Sequence, residues 1–474
     1  MQVLKEKFME LLNKVLLVIP IKSSLPILDK VLIEVRDNIL YLTGTDLETF
    51  ITVSSPLTAN NIKFLLTARD LKTILENIYQ DSLEFQLLEQ GRYVNISAGN
   101  VSHTIQTESF EDYPEFEEAG EETNNYALDK IAVSNIGRAL TCSSTDEVRR
   151  QLSGVLLSKT GDIVGTDAFR LVVCKAGTKI DRDILLPKTI SRILARLEIP
   201  MDIKTYENGR VDMEGEGISI HTKSIDDSFP TYENVIPKEH IYELSVNRKD
   251  WINAINGVLI SADELSHRIK FEIAGSELYL KAENNEKGIA SYDKIACRSK
   301  YIPTAEEGQE APEPTEIENF EFAMNGKYIL AMLNLFKDEM LTFEFTAPSQ
   351  AFLACNSILT YLIMPVRVDV GNGQKEQENE QENHSEEPQD GQDENKTDIL
   401  DELHSEFEEP HNEEEQEQKE YAEFTDEEVT KEEQEQKEQE QKEHIEVTPS
   451  GKMKRTSKTK KVKTNKKQKK VKVS

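Results

Sequence analysis

The chain has 474 residues, with 88 Asp and Glu against 56 Lys and Arg, and a formal net charge of −32. Residues 371–450 hold 31 of the acids against 6 lysines, residues 451–474 hold 12 basic residues and no acid, and residues 1–370 keep a net of −19. An acidic body excludes an outer surface that adheres to nucleic acid at large. Four cysteines without a CxxC, and eight histidines without HxH or HExxH, exclude the common metal motifs, and no cofactor is expected.

The first predicted element is an amphipathic helix, "KEKFMELLNKVLLVI" (5–19). Its apolar end "VLLVIPI" (15–21) falls short of the ~20 residues of a bilayer span and lacks a small-residue cleavage site. It reads as the end of a core helix, so no membrane insertion or secretion is expected and the protein is placed in the cytoplasm. Cys142, Cys174, Cys297 and Cys355 are accordingly expected as buried, reduced thiols.

A meander follows the helix. "VLIEV" turns at Asp37-Asn38 into "ILYLT", which passes through "GTD" (44–46) into "FITV". A second helix, "TARDLKTILENI" (67–78), starts after Thr67, and the unit closes with strands and the turn "SFEDYPEF" (109–116).

The same order returns. "KIAVSNIGRALTC" (130–142) is a helix; "GVLLS" turns at Thr160-Gly161-Asp162 into "IVG", then through a second "GTD" (165–167) into "RLVVC". "PKTISRILARL" (187–197) is a helix entered at Pro187, and "DSFPTYENV" (227–235) closes the unit. A third round has the helix "RKDWINAINGVLI" (248–260), "KFEIA" turning at Gly275-Ser276 into "LYLKA", a turn at Glu283-Asn284-Asn285 in the place of GTD, "GIASY", and the helix "NGKYILAMLNLFK" (325–337). A Pro/Glu-rich stretch at 302–319 is expected as a surface loop.

Repeats of this length indicate domain duplication. The chain reads as an α+β protein of three repeated domains, each with two helices packed on antiparallel sheets: residues 1–122, 123–241 and 242–370. Residues 371–450 form an acidic tail and 451–474 a basic terminus, both expected to be disordered because they carry too little apolar surface to fold. Within the tail, Ile399, Leu400, Leu403 and Phe407 share one helical face, a pattern suited equally to a partner-binding helix and to a solvated tail.

The GTD tripeptides, 121 positions apart, invite a catalytic reading in which the carboxylates of Asp46 and Asp167 hold a metal or phosphate in a nucleotide-processing enzyme. No further carboxylates or phosphate-binding glycines accompany them. A turn role, with Asp bonding the backbone between two strands, needs only what is present. No enzyme activity is expected.

The six predicted helices carry 14 basic residues against 5 acids, within a body that is negative. Side by side they would form one positive face suited to the phosphates of a polyanion, without sequence selectivity.

The motifs "SLPIL" (24–28), "LTGTDLE" (42–48), "VRRQLSG" (148–154), "GTDAFRLVV" (165–173), "FPTYENVIPK" (229–238), "NGKYIL" (325–330) and "IMPVR" (363–367) resemble, in order and spacing, those of the bacterial sliding clamps, the DNA polymerase III β subunit family. The resemblance covers residues 1–370. It implies the DNA clamp fold and a homodimeric ring that encircles double-stranded DNA and tethers the replicative DNA polymerase. The clamp loader and other clamp-binding proteins are further implied partners.

By the same resemblance, the DNA-contacting positions include Lys22, Arg69, Arg149, Arg150 and Lys188, and the basic helices add Lys72, Arg138, Arg192 and Arg196 as expected DNA contacts. A partner-peptide pocket is implied at Leu152, Thr166, Ala168, Phe169, Arg170, Leu171, Pro230, Asn234, Val235, Asn325, Tyr328, Gln350, Leu362, Met364, Pro365, Val366 and Arg367. Ala168-Phe169 replaces a common Gly-His, and Asn234 stands where an Arg is often found. The dimer interface is implied at His103, Ile105, Leu259 and Ile260. The acidic stretch is expected to act as a spacer and the cationic end to add salt-sensitive DNA contact. The alternative is a clamp-like hub that binds mainly through this charged tail.

Overall fold

The computed structural model describes residues 1–146, 148–177, 180–303 and 313–366. They follow one order of elements three times: a strand, a helix, four strands, a helix and three strands. The helices are α1 (Lys5–Val15), α2 (Ala68–Glu76), α3 (Lys130–Leu140), α4 (Lys188–Leu197), α5 (Arg248–Leu259) and α6 (Gly326–Leu335). All six expected helices are present, each ending within four residues of its predicted end. In the expected "VLLVIPI" helix end, α1 stops at Val15; Val18 and Ile19 are buried in the following turn, and Ile21 is exposed.

Side-chain caps fix three helix starts. Asp129 Oδ1 accepts from Ala132 N at 2.7 Å. Asn247 Oδ1 accepts from Lys249 N at 3.0 Å, and Asn325 Oδ1 from Lys327 N at 2.9 Å. These bonds satisfy amides that a helix leaves open at its first turn. Thr67 and Pro187 directly precede α2 and α4 but give no side-chain cap.

In each repeat the opening strand joins the three closing strands in an antiparallel array and the four middle strands form a second; in the third repeat Tyr242–Asn247 also pairs with the second half of Ile289–Tyr301, which joins the two. Neighbouring repeats are stitched edge to edge. Phe50–Pro56 of the first pairs with Ile218–Lys223 of the second, with Ile51 opposite Ile220. Arg170–Lys175 of the second pairs with Leu359–Ile363 of the third, with Val172 opposite Tyr361. The helices pack in pairs, α1 with α2, α3 with α4 and α5 with α6. A continuous apolar core lies between helices and sheets.

The two GTD turns are the same structure. Asp46 Oδ1 accepts from Glu48 N and Thr49 N at 3.0 and 2.7 Å; Asp167 Oδ1 accepts from Phe169 N and Arg170 N, both at 2.9 Å. Each threonine hydroxyl closes the turn onto a carbonyl, Thr45 onto Thr49 O at 2.9 Å and Thr166 onto Arg170 O at 2.7 Å. Leu47 and Ala168 take matching positive φ of 81° and 77°.

The glycine has a separate reason. A Cβ on Gly165 would stand 1.9 Å from Ala139 O, and one on Gly44 2.6 Å from Val15 Cγ1, so in both repeats a helix lies against this strand position. Counting from the matching two-residue turns at Asp37-Asn38 and Gly275-Ser276, the third counterpart of Gly44 is Ala282. The third version of GTD is therefore Ala282-Glu283-Asn284, one residue earlier than the sequence suggested.

Cys142, Cys174 and Cys297 are buried as expected, but Cys355 is exposed, because it ends the short strand Phe352–Cys355 at a turn. Within the 302–319 stretch, Thr315 bridges to Tyr301 and Ile317 is buried, so its described end is part of the packed fold. No helix among the described residues is long and apolar enough to cross a membrane. The acidic and basic tail segments, including residues 397–407, lie outside the described residues.

Candidate functional site

The second and third repeats meet along the Arg170–Lys175 and Leu359–Ile363 strands, and this junction has a small apolar cluster separate from the main core. Leu156, Val164, Leu171, Val173, Leu353 and Leu362 form it, with Tyr232 laid across and Phe229 against its edge. Strand residues alternate faces. The helix-facing set enters the main core, and the opposite set builds this second cluster.

The first junction shows why the cluster occurs only once among the described residues. Register places Thr43 where Val164 lies, Thr52 where Val173 lies, His221 where Leu362 lies and Asp212 where Leu353 lies. Thr43 and Thr52 hydrogen-bond each other at 2.9 Å. His221 Nδ1 lies 2.8 Å from Asp212 Oδ1, and Phe116 of the connecting segment stacks on the imidazole with ring centres 5.9 Å apart. One face of the sheet is thus polar and covered at the first junction and apolar at the second.

Two of the expected pocket residues, Leu171 and Leu362, belong to that apolar face. Leu171 and Leu362 are buried in it, and Leu152 is buried outside the cluster. Phe169, Val235 and Met364 are 55%, 57% and 38% exposed. Phe169 is nevertheless held by its backbone: Asp167 Oδ1 accepts from its N–H at 2.9 Å, and its carbonyl accepts from Met364 N at 2.8 Å. Ala168, Pro230, Asn234 and Gln350 are exposed, Thr166 and Pro365 are half-buried, and half-buried Val366 donates its N–H to Ala323 O at 2.8 Å. Asn325 caps α6, which fixes Tyr328 in its first turn. Arg367 lies outside the described residues.

The polar anchor is Arg170. Its Nε bonds Asp167 Oδ2 at 2.8 Å, and its guanidinium lies over the Tyr328 ring. Burial works against the charge of Arg170, but the surrounding Cys142, Tyr361 and Asp167 hold it charged. Burial raises the thiol of Cys142 and the phenols of Tyr328 and Tyr361. Asp167 and Tyr361 belong to this anchor and were not expected there. The GTD motif pointed to Asp167 only as a turn residue. An apolar floor with a few fixed polar groups is suited to a short extended or helical peptide.

The expected DNA-contacting residues lie on helices or on the loops beside them. Arg69 donates to Ile19 O at 3.2 Å, Lys72 is 3.8 Å from Glu76, and Arg138 donates to Asn135 Oδ1 at 2.6 Å. Arg149 pairs with Asp146 at 2.8 Å. Lys22, Arg150 and Arg196 are exposed, and Lys188 and Arg192 are half-buried on α4. His103 and Ile105 lie on Val101–Gln106, the edge strand of the first repeat, whereas Leu259 and Ile260 end α5 in the third. Among the described residues no group of three or more His, Cys, Asp or Glu is placed to hold a metal ion.

Residues 1–117 match the family model described as DNA polymerase III beta subunit, N-terminal domain. The beta sliding clamp of Pseudomonas aeruginosa is 25% identical over 385 residues, covering 77% of this chain and 98% of that protein. That of Chlamydia muridarum is 23% identical over 374 residues, covering 76% and 96%. The crystal structure of the Pseudomonas aeruginosa DNA polymerase sliding clamp with ligand superposes with a TM-score of 0.67 at 23% identity, covering 77% of this chain and 99% of that one. The Thermotoga maritima DNA polymerase III beta subunit gives 0.67 at 21% identity, with the same coverage. The first 117 residues thus match the N-terminal domain of the DNA polymerase III beta subunit family, and the threefold α+β repeat is similar, over nearly the full length of these relatives, to the bacterial sliding clamps.

Proposed function

We propose that this protein is a processivity clamp, in which two copies close into a ring around duplex DNA and hold the replicative polymerase on its template. The proposed domains are residues 1–122, 123–241 and 242–370, and the proposed place of action is the cytoplasm. The protein performs no chemistry of its own; its effect is topological.

The observation that carries this reading is the repeated stitch between repeats. Twice within the chain, the last of the three meander strands after a repeat's first helix pairs with the last strand of the next repeat. The third repeat offers the same strand, Ile289–Tyr301, with the edge of its first half unpaired. The first repeat offers its last strand, Val101–Gln106, also with an open edge. An open stitch at each end invites another copy, and two copies of three repeats close a six-domain ring. His103, Ile105, Leu259 and Ile260 lie beside these edges and form the proposed dimer contact.

Lys22, Arg69, Lys72, Arg138, Arg149, Arg150, Lys188, Arg192 and Arg196 are the proposed phosphate contacts, a sequence-independent and salt-sensitive grip that lets a ring slide. The apolar groove around Arg170, Phe169 and Leu362 is the proposed docking site for peptides of the polymerase, the clamp loader and other clamp-binding proteins. The deciding experiment loads the protein on nicked circular DNA and then linearises it. Release on linearisation is expected; retention on the linear molecule refutes topological tethering.

A further inference from the structure

We propose that a groove on the first repeat receives the acidic stretch that follows the third repeat of a second copy. The proposal rests on the ring reading above and adds to it a contact that the paired strands do not make.

The groove has a volume of about 810 Å³. It lies between the edge strand Ile62–Thr67, the bend at residues 89–92, and residues 106–110, where the chain leaves the last strand of the repeat. Exposed Lys63, Arg92 and Phe110 line it, with Lys63 Nζ 5.1 Å from the centre of the Phe110 ring.

The counterparts of this groove in the other two repeats are occupied. The hairpins of residues 93–106 and 210–223 both have two-residue turns, so Tyr93 matches Arg210 and Gln106 matches Lys223. In the second repeat, the segment arriving from the first lies along this bend. Arg210 Nη1 donates to Glu117 O, and Asn208 Nδ2 donates to Glu118 O at 3.3 Å. Glu207 N donates to Glu121 O at 3.1 Å, and Lys223 Nζ pairs with the Glu117 carboxylate at 2.7 Å. The segment then continues as the opening strand of the second repeat, with Glu122 opposite Tyr206. The segment arriving at the third repeat does the same. Ile241 N donates to Phe345 O at 3.1 Å, Thr346 Oγ1 donates to Glu239 O at 3.4 Å, and Tyr242 lies opposite Phe345.

The first repeat lacks this cover among the described residues. Its opening strand, Gln2–Leu4, pairs with residues 82–84, and Phe85 N donates to Met1 O at 2.8 Å. Beyond Phe85 this edge of Ser82–Leu88 has no partner strand among the described residues, and Leu87 lines the groove. An open strand edge beside a groove is suited to an extended segment that adds as a strand.

In both internal cases the covering segment follows the last strand of the preceding repeat. In a closed ring, the repeat preceding the first is the third repeat of the other copy. Matching bonds fix where the segment departs. Glu108 bridges Leu65, two residues before Thr67 at the start of α2; Val366 N donates to Ala323 O, two residues before Asn325 at the start of α6. Glu117 stands nine residues beyond Glu108, and the same count from Val366 reaches Lys375. The segment assigned to the groove is therefore residues 374–380, whose Glu376, Glu378 and Glu380 share one face of a strand. That face meets Lys63 and Arg92. Of the groove's own acids, Glu108 is already paired with Lys30 at 2.8 Å. Each exposed pair contributes little alone. Attachment of the segment to the ring raises its effective concentration at the groove.

The test replaces Phe110 of the full-length protein with photoreactive p-benzoylphenylalanine, mixes isotope-labelled with unlabelled chains, and maps the crosslinks by mass spectrometry. Sedimentation equilibrium reads the dimer in the same samples. Crosslinks are expected to fall on the stretch around residues 374–380 and to join labelled to unlabelled chains. The double variant Lys63→Glu with Arg92→Glu is expected to keep the dimer and its melting temperature and to lower the crosslink yield about fivefold, as for the loss of two exposed pairs. A dimer that gives no crosslink to this stretch, crosslinks within one chain only, or a yield unmoved by the charge reversal overturns the groove assignment and leaves the ring reading standing. A protein that does not dimerise overturns the ring reading itself.

Discussion

The guanidinium of Arg170 lies 4.3 Å from the centre of the Tyr328 ring, while its Nε is 2.8 Å from Asp167 Oδ2. One side chain thus ties the turn of the second repeat to the first turn of α6 in the third. Asp167 also accepts two backbone N–H bonds of its own turn. Removing it strips the turn of its closure and leaves Arg170 charged and largely buried.

Asp167→Ala is accordingly expected to destabilise the protein by about 3 kcal/mol, since breaking a buried pair orphans its partner. Arg170→Lys keeps a charge but loses the planar stack and the fork. It is expected to leave the melting temperature nearly unchanged while weakening a polymerase-derived docking peptide by about tenfold, or ~1.4 kcal/mol. Calorimetric titration of that peptide reads the difference. A Lys variant that binds as wild type shows that the guanidinium supports only the junction.

The two GTD glycines give a second prediction, because their obstacles differ. On Gly165 the added Cβ meets the carbonyl of Ala139 in the backbone of α3; on Gly44 it meets the side chain of Val15. Backbone moves only if the helix moves, whereas a valine methyl shifts at the smaller cost of overpacking, about 1–3 kcal/mol. Gly165→Ala is expected to exceed that range and Gly44→Ala to fall within it. Equal losses in chemical denaturation would show that α1 and α3 yield alike.

Much of this arrangement was legible in the sequence. Amphipathic spacing marked all six helices, and the GTD repeat marked the duplication, because helix period and turn chemistry are local properties. Strand partners across repeats are not local. That Thr43 and Val164 occupy one place, and His221 and Leu362 another, emerges only once register is known, and it decides which junction has the apolar groove. The offset of the third GTD had the same cause: Asn284 and Asn285 look like the turn, but Ala282 is the small residue buried on the helix-facing side. Asp167 was read as a turn residue, which it is. Its bond to Arg170 depends on a side chain whose direction the neighbouring repeat sets.

A third prediction concerns the basic helices. If Arg69, Arg138 and Arg192 touch phosphates in the closed ring, replacing all three with Ala lowers DNA affinity equally for unrelated sequences. It also reduces the slope of log affinity against log salt by about one per lost contact. Titrations at several salt concentrations separate this from a general loss of fold, which would lower affinity without changing the slope in that proportion.

The last prediction comes from the first junction. Asp212 accepts from Arg210 through both oxygens, at 2.6 and 2.9 Å, and lies 2.8 Å from His221 Nδ1. Phe116 stacks on that imidazole and lies beneath Arg210, and Lys223 pairs with Glu117 at 2.7 Å, so the cluster pins the segment joining the first two repeats. Burial alone would raise the Asp212 carboxyl, but bonds to His221 and Arg210 outweigh it and hold the group down at about 2. A depressed carboxyl contributes stability that is complete above the ordinary carboxylate range and is lost as pH falls towards the folded value. Asp212→Asn is therefore expected to melt roughly 2–4 °C below wild type near neutral pH, for a contribution of about 1 kcal/mol once solvent screening is allowed for. That gap should hold down to pH ~5 and close between pH ~4 and ~2. A gap that persists at the acid end would mean that the carboxyl acts by packing, with its charge contributing nothing.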